Sequence, residues 1–483
     1  MLSFLIIFSF VCIFHLLFIN SSRILAIKQY SLLYSGLIFL IALFLWINFE
    51  SSSSFLQYTI IINWIPFYNY SIIFGLDGLS LFFILLTTLL IFLCILGSWE
   101  NINHSIKEYF LCFIILDLLL ILVFSVRDIF LFYIFFESTL IPMFLVIGIW
   151  GSRERKIRAG YLFFFYTLIG SLLMLLGILY LYNKAGTTNY DILLSLELTK
   201  TEQNWLFLAF FFSLATKLPL FPFHVWLPEA HVEAPTAGSV LLAGILLKLG
   251  SYGFLRFSLP FFPDASIYFT PLIFTLSILG IIFTSLTAVR QTDFKRIIAY
   301  SSVAHMNLVM MGMFSFHLSG IEGSVLQSLS HGFVASALFF LIGVLYERYH
   351  SRLIIYYSGL THMMPIFIFI FIFFTMANIA LPGTSSFIGE FLILAGIYKF
   401  NILAGILGAT GMILGSGYSL WVYNRIAYGN LKIEYISIFK DISLREIFIF
   451  TPLIIGTLVL GIFPNIILEY IHSWAFNLTV IFI

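Results

Sequence analysis

Charge is what this sequence most lacks. Only 9% of its 483 residues are Asp, Glu, Lys or Arg, against roughly a quarter in soluble globular proteins. Such a chain cannot cover a water-facing surface, so several soluble domains are excluded. The 23 Lys and Arg nearly cancel the 22 Asp and Glu, giving +1, so no basic field for nucleic acid exists. There are three cysteines, Cys12, Cys94 and Cys112, each inside an apolar run with no C-x-x-C pair. That argues against disulfides, iron–sulfur clusters and zinc. No Gly-rich phosphate loop follows a strand pattern, which argues against nucleotide binding by this chain. A basic segment and a small-residue cleavage site are also missing ahead of and after the apolar run at Leu2–Leu17, which reads as a retained first span;.

What the sequence has in excess is hydrocarbon. Hydrophobic residues make up 61% and aromatic ones 19%, and mean hydropathy is +1.08. The bilayer is therefore the solvent for most of the chain. A span needs about 20 apolar residues, and fourteen candidate runs are found, at approximately 2–20, 31–49, 75–98, 109–126, 129–150, 159–182, 204–230, 236–256, 269–289, 296–315, 324–346, 364–396, 402–424 and 447–468. With both termini on the outer side, sixteen Lys and Arg fall in inward loops and five (Arg127, Lys184, Lys200, Arg256 and Lys399) in outward ones. This is the asymmetry of the positive-inside rule. The fold class expected is an all-α polytopic membrane protein of about 14 transmembrane helices. The seventh and twelfth runs are long and interrupted by proline, so both are expected to be broken helices. Broken helices in corresponding positions often mark inverted repeats with a pathway between them.

Lys217 and Lys248 are the two basic residues left inside spans. An ionisable group at bilayer depth is expensive and a functional candidate by default. Lys217 precedes Pro219 and Pro222, which should free the carbonyls of Ala215 and Leu218 beside it. Burial disfavours a lysine's charge and a nearby carboxylate favours it, so such a site can hold or release a proton. The competing reading is a lysine that snorkels to the interface. Glu137, with Pro142 just beyond, is the expected electrostatic partner of Lys217, or else half of a static ion pair. Lys248, between Gly244 and Gly250, reads as a central relay or a structural residue. Glu390 follows the break Leu381-Pro382-Gly383 and reads as an exit-side carrier or as a cap on the unwound turn. His331 and His305 are relay candidates because imidazole titrates near neutrality, although a lone histidine is often a packing residue. His224 and His231 read as gate or structural residues, Asp117 as a water-linked acid, and Asp77 as the cap of the third helix.

At these positions the chain resembles a known family. FLFYIFFESTLIPMFLVIGIWGSRERKIRA (130–159), KLPLFPFHVWLPEAHVEAPTAGSVLLAGILLKLGSYG (217–253), RIIAYSSVAHMN (296–307) and LPGTSSFIGEF (381–391) are similar to the subunit-4 branch of the antiporter-like subunits of respiratory NADH:ubiquinone oxidoreductase, complex I. The resemblance implies fourteen helices, with helices 4–8 and 9–13 as inverted five-helix repeats and broken helices 7 and 12. The corresponding division is 1–108 (helices 1–3), 109–258 (first repeat), 259–425 (second repeat) and 426–483 (helix 14 and tail). It also implies a proton-transfer axis in which Glu137 and Lys217 match the helix-5/helix-7 pair, Lys248 the central lysine, His305 and His331 the relay histidines, and Glu390 the helix-12 carboxylate, which is lysine in some relatives. No cofactor is implied in this chain; NADH, FMN, iron–sulfur clusters and ubiquinone would sit in other subunits. Partners implied are the other membrane-arm subunits, above all the two other antiporter-like subunits (2 and 5), with accessory subunits and lipid. The location implied is the mitochondrial inner membrane, and 58 phenylalanines with abundant isoleucine suggest an AT-rich organelle genome. Two other functions stay open: a stand-alone Na+/H+ antiporter of the multisubunit type, and a purely structural subunit, which would leave the buried charges without purpose.

Overall fold

The computed structural model describes residues 1–65, 70–432 and 440–482. Helices α1 (Leu2–Phe18) and α2 (Ile24–Ile47) are followed by an antiparallel hairpin, β1 (Gln57–Ile65) and β2 (Tyr70–Leu76), with Ile61 opposite Ile73. The hairpin corrects the all-α expectation. Its strands are too short to span a bilayer, yet TIIINWI and YSIIFGL are rich in the β-branched and aromatic residues that favour strands;. Then come α3 (Gly78–Gly97), α4 (Ile106–Ser125), α5 (Ile129–Trp150) and α6 (Lys156–Ala185). After a short helical turn at Tyr190–Leu194, the next long helix is interrupted, as α7a (Lys200–Lys217) and α7b (Trp226–Glu233). Helices α8 (Thr236–Phe261), α9 (Pro263–Arg290), α10 (Phe294–Met313) and α11 (Leu318–Tyr349) lead to a second interrupted pair, α12a (Pro365–Asn378) and α12b (Ser385–Phe400). The chain ends with α13 (Ile402–Ala427), α14 (Leu444–Ile462) and α15 (Asn465–Val480).

Ten of these helices among the described residues are long and apolar enough to cross a membrane. The last run read from the sequence, 447–468, is in fact two helices. Phe463-Pro464 stops α14, and the amphipathic α15 lies across the ends of α3 and α11. Gly78 is needed there, because a Cβ on it would fall 1.9 Å from the Tyr470 carbonyl oxygen. Helix ends differ from the expected boundaries by a few residues: α4 starts at Ile106, α8 runs to Phe261 and α13 to Ala427.

Helix starts carry the caps that an orphaned first turn requires. Asp77, Thr199 and Ser443 each form a reciprocal capping box, with Ser80, Glu202 and Glu446 respectively, and Asp128 accepts from the amides of Phe130 and Leu131 at 2.9 Å. A helix apolar all round belongs inside, and α8 is enclosed on every side, with α11 nearly so. α11 packs along α12b, α10, α8 and α14. Of the ten helices long and apolar enough to span, these two are the most enclosed, and they carry Lys248 and His331.

Most ion pairs among the described residues lie at the two ends of the bundle. At one end Lys28 donates to Trp99 O, Lys107 to Leu17 O and Ile19 O, and Arg445 pairs with Glu100 at 3.2 Å. Arg352 is buried there, 3.6 Å from both Glu233 and Asp293, and donates to the Val232 carbonyl. This is the basic end. At the opposite end Lys184 meets Glu202 at 2.7 Å. Arg256, expected in a loop, lies instead within α8 and is 3% exposed, with a two-pronged contact to Asp77 at 2.5 and 2.6 Å. Lys295, expected in a loop of the basic end, is likewise buried, its ammonium donating to Ala234 O and Ser239 Oγ.

Candidate functional site

The first half of the site is built on α5 and α7a. Pro142 cannot donate its backbone N–H and its ring crowds the carbonyl four residues earlier, and α5 is broken for one residue at Thr139, just after Glu137. Lys217 is the last residue of α7a because Pro219 and Pro222 forbid its continuation;. The backbone there is better satisfied than the prolines alone suggest. Ala215 O, expected to be free, accepts from Leu220 N at 3.1 Å, and Thr216 O accepts from the Trp226 indole at 2.8 Å.

Lys217 is 2% exposed and its ammonium makes no hydrogen bond among the described residues. What it meets is the Phe136 ring, 4.3 Å from Nζ to the centroid, a cation–π contact;. Glu137, the residue after Phe136, acts on Lys217 through space, but no ion pair within 4.0 Å joins them. Ser171 of α6 stands beside the Glu137 carboxylate.

Lys248 occupies the middle of α8, between two stretches of wide, π-type turn at Leu242–Leu246 and Phe254–Ser258. Such turns interrupt the regular ladder and occur often at functional sites. The Lys248 ammonium donates to Ala243 O at 2.5 Å and contacts His331 Nδ1 at 2.7 Å. Its glycine neighbours permit close packing: a Cβ on Gly250 would lie 2.6 Å from Leu218 N, and one on Gly244 2.4 Å from Leu90 Cδ1. Gly250 thus brings α8 against the interruption after Lys217.

From His331 the contacts continue. Its ring centre is 5.9 Å from that of His305 on α10. His305 Nδ1 lies 3.0 Å from Glu390 Oε1, and its Nε2 lies 3.2 Å from Asn378 Oδ1. Gln327 also donates to Glu390 Oε1, at 3.1 Å. Glu390 is 2% exposed, in the second turn of α12b. The interruption before it is set by Pro382, by Gly383 at φ +94° and by Ala380 at φ +64°. The last is a left-handed conformation that costs a non-glycine residue free energy.

The structure therefore brings Lys248, His331, His305 and Glu390 into one series of contacts. It sets Glu137 and Lys217 near each other without an ion pair, and neither side chain makes a hydrogen bond toward Lys248 among the described residues. Asp117 lies apart, fully buried between α4 and α1 near Cys12, with both carboxylate oxygens lacking hydrogen bonds among the described residues. His231 stacks on Phe339 at 4.8 Å and His224 on Phe221 at 5.5 Å. Asn378, Gln327 and Arg256 were missed. The first two are neutral amides, and Arg256 stands near the end of an apolar run, where a loop residue is the ordinary reading. Among the described residues no group of three or more His, Cys, Asp or Glu could hold a metal ion.

Two interrupted helices around an enclosed series of charged and imidazole side chains define a membrane-embedded ion-transfer protein of the antiporter-like class. Residues 126–415 match the family described as NADH:quinone oxidoreductase/Mrp antiporter, TM, and the chain belongs to that family. A relative from Chondrus crispus, NADH-ubiquinone oxidoreductase chain 4, is 57% identical over 96% of this chain and 95% of its own length. Among solved structures, a chain of respiratory complex I from Thermus thermophilus with bound NADH is 29% identical, covers all of both chains and superposes with a TM-score of 0.91. A chain of the Mrp complex from Dietzia sp. is 21% identical over 99% of this chain and 98% of its own, with a TM-score of 0.86. At that identity the likeness concerns the fold.

Proposed function

We infer that this chain is a proton-translocating subunit of the membrane arm of respiratory complex I. NADH oxidation and ubiquinone reduction take place in other subunits, which hold FMN and the iron–sulfur clusters. The observation that carries the reading is the enclosed contact series Lys248–His331–His305–Glu390, in a chain 57% identical to an NADH-ubiquinone oxidoreductase chain 4.

In this reading a proton on Lys248 passes to His331 Nδ1 across 2.7 Å. His331 hands a proton to His305, whose ring centre is 5.9 Å away, and His305 delivers one to Glu390. Glu137 and Lys217 form the loading half: the carboxylate's field favours the charged lysine, and a rearrangement at the α7a–α7b interruption links Lys217 to Lys248. The finer organisation proposed is fourteen crossings, α1 to α14, with α7a–α7b and α12a–α12b each counted once. Helices 4–8 and 9–13 form inverted repeats over 106–261 and 263–427, a few residues beyond the divisions at 109–258 and 259–425. Both termini face the intermembrane space of the mitochondrial inner membrane, the basic end faces the matrix, and the gene is organellar. The neighbours are the antiporter-like subunits 2 and 5 and accessory subunits.

The test is proton translocation by vesicles holding matched amounts of assembled complex. Lys248→Met should abolish most NADH-driven pumping, and normal pumping would reject the axis. The competing reading, a stand-alone Na+/H+ antiporter, predicts Na+-driven H+ exchange by the isolated chain in liposomes. The inferred function predicts none.

A further inference from the structure

A groove of about 450 Å³ runs along the outer face of α6 and α7a, away from the contact series. One wall is a stripe at four-residue spacing on α6, Tyr161, Phe165, Ile169 and Leu173, and the other is formed by Phe212 and Phe223. At 1.5 Å per helical residue the stripe is roughly 18 Å long. That shape matches an extended hydrocarbon chain, and the walls offer almost no polar surface.

Charge occurs at one mouth only. Arg158, less than one turn before Tyr161, is exposed at the basic end and joins none of the ion pairs among the described residues. Arg153 and Arg155 beside it are also exposed and outside those pairs. Lys156, by contrast, is engaged with the Ile149 carbonyl at 2.6 Å. At its deep end the groove reaches Gly170 and Thr216, where a Cβ on Gly170 would lie 2.9 Å from Thr216 Oγ1. Thr216 is the residue before Lys217.

We propose that this groove is a binding site for an anionic phospholipid of the leaflet at the basic end. Arg158 binds the phosphate and one acyl chain lies along the α6 stripe. A planar, always-charged guanidinium suits a phosphate, and basic pockets at the ends of spans select anionic headgroups. The chain end then seals the seam between α6 and α7a on the bilayer side of Lys217.

The experiment uses the intact complex in nanodiscs of phosphatidylcholine doped with phosphatidylglycerol that bears a photoreactive group near its acyl terminus. Crosslinks are mapped by peptide mass spectrometry. Labelling should concentrate in segments 161–173 and 212–223. Arg158→Gln should lower it about fivefold, the equivalent of one lysine or arginine at an anionic headgroup. Ile169→Trp, which fills the groove and keeps the charge, should remove it. The same photoreactive group on phosphatidylcholine should label the wild type no better than phosphatidylglycerol labels Arg158→Gln. Equal labelling by the two lipids, unchanged in Arg158→Gln, would overturn the proposal in favour of bulk solvation. A photoreactive amino acid at position 165 that crosslinks another polypeptide of the complex would overturn it in favour of a protein partner.

Discussion

Lys248 Nζ and His331 Nδ1 face each other at 2.7 Å inside the two most enclosed of the ten span-length helices. An ammonium has donors only, so against a charged Lys248 the His331 Nδ1 must offer its lone pair, and a neutral imidazole then carries its hydrogen on Nε2. That tautomer is the one suited to accept on one nitrogen and release from the other. Replacing His331 by Asn keeps a polar side chain without a transferable proton. Pumping by the assembled His331→Asn complex should fall by roughly a hundredfold, the lower range for losing a positioned proton-transfer group. Proton uptake measured with a pH-sensitive dye, at equal complex content, checks this; a drop of less than half would remove His331 from the path.

Glu390 separates a carrier from a cap. As a carrier it needs a carboxyl group, so Glu390→Asp should retain part of the pumping and Glu390→Gln much less. As a partner that only hydrogen-bonds His305 and Gln327, glutamine should serve well and the shorter aspartate poorly. The order of the two variants in the vesicle assay discriminates.

Asn378 is expected to control the His305 proton. Its Oδ1 faces Nε2, which holds a hydrogen there and leaves the Nδ1–Glu390 contact to share one more. Asn378→Asp places a second carboxylate on the imidazole and should trap it as a cation, slowing pumping near neutrality. Pumping equal to the parent's at matched complex content would show Asn378 to be packing only.

Lys217→Arg keeps the charge and the approach to Phe136 but not the chemistry, since arginine stays protonated at any accessible pH. Pumping in this variant should remain far below the parent's while the complex assembles normally on native gels. Full pumping would make Lys217 a fixed charge.

The Asp77–Arg256 contact predicts a stability effect. Asp77→Asn leaves a guanidinium buried without its counter-charge, at a cost of about 3–5 kcal/mol. Complex abundance and its thermal midpoint should both fall. Adding Arg256→Met removes the stranded charge and should restore most of the loss. If the double variant is as unstable as the single, the capping of α3 is the important role of Asp77.

Much of this arrangement is legible in the sequence, for a physical reason. A charge inside a long apolar run, as at Lys217, Lys248, Glu137 and Glu390, is conspicuous because the bilayer penalises it, and proline inside such a run announces an interruption. What cannot be read is which residues meet. Asn378 is 73 positions from His305, and Asp77 is 179 from Arg256. Such contacts depend on how helices pack, and an amide or an arginine near the end of a run leaves no local trace of its partner. The hairpin's strands fall below span length, and the apolar residues of α15 continue those of α14 past Pro464, so neither stands out in the hydropathy pattern. The carbonyl of Ala215 shows a subtler limit. Proline chemistry correctly stops the helix, but the chain finds a substitute donor in Leu220 that only the folded backbone reveals.

The interval between Lys217 and Lys248 has a consequence of its own. Leu218 and Gly250 meet there with no room for a methyl group, while between Lys248 and Glu390 only the step from the His331 ring to the His305 ring, 5.9 Å between centres, lacks a hydrogen bond. A conductor that crossed the whole membrane would short-circuit the gradient it helps to build. In the proposed path the close contact at Gly250 is the insulator, and its opening has to be brief. A single side chain added at position 250 should therefore hurt in either direction: wedged open, the membrane leaks; jammed shut, the circuit never closes.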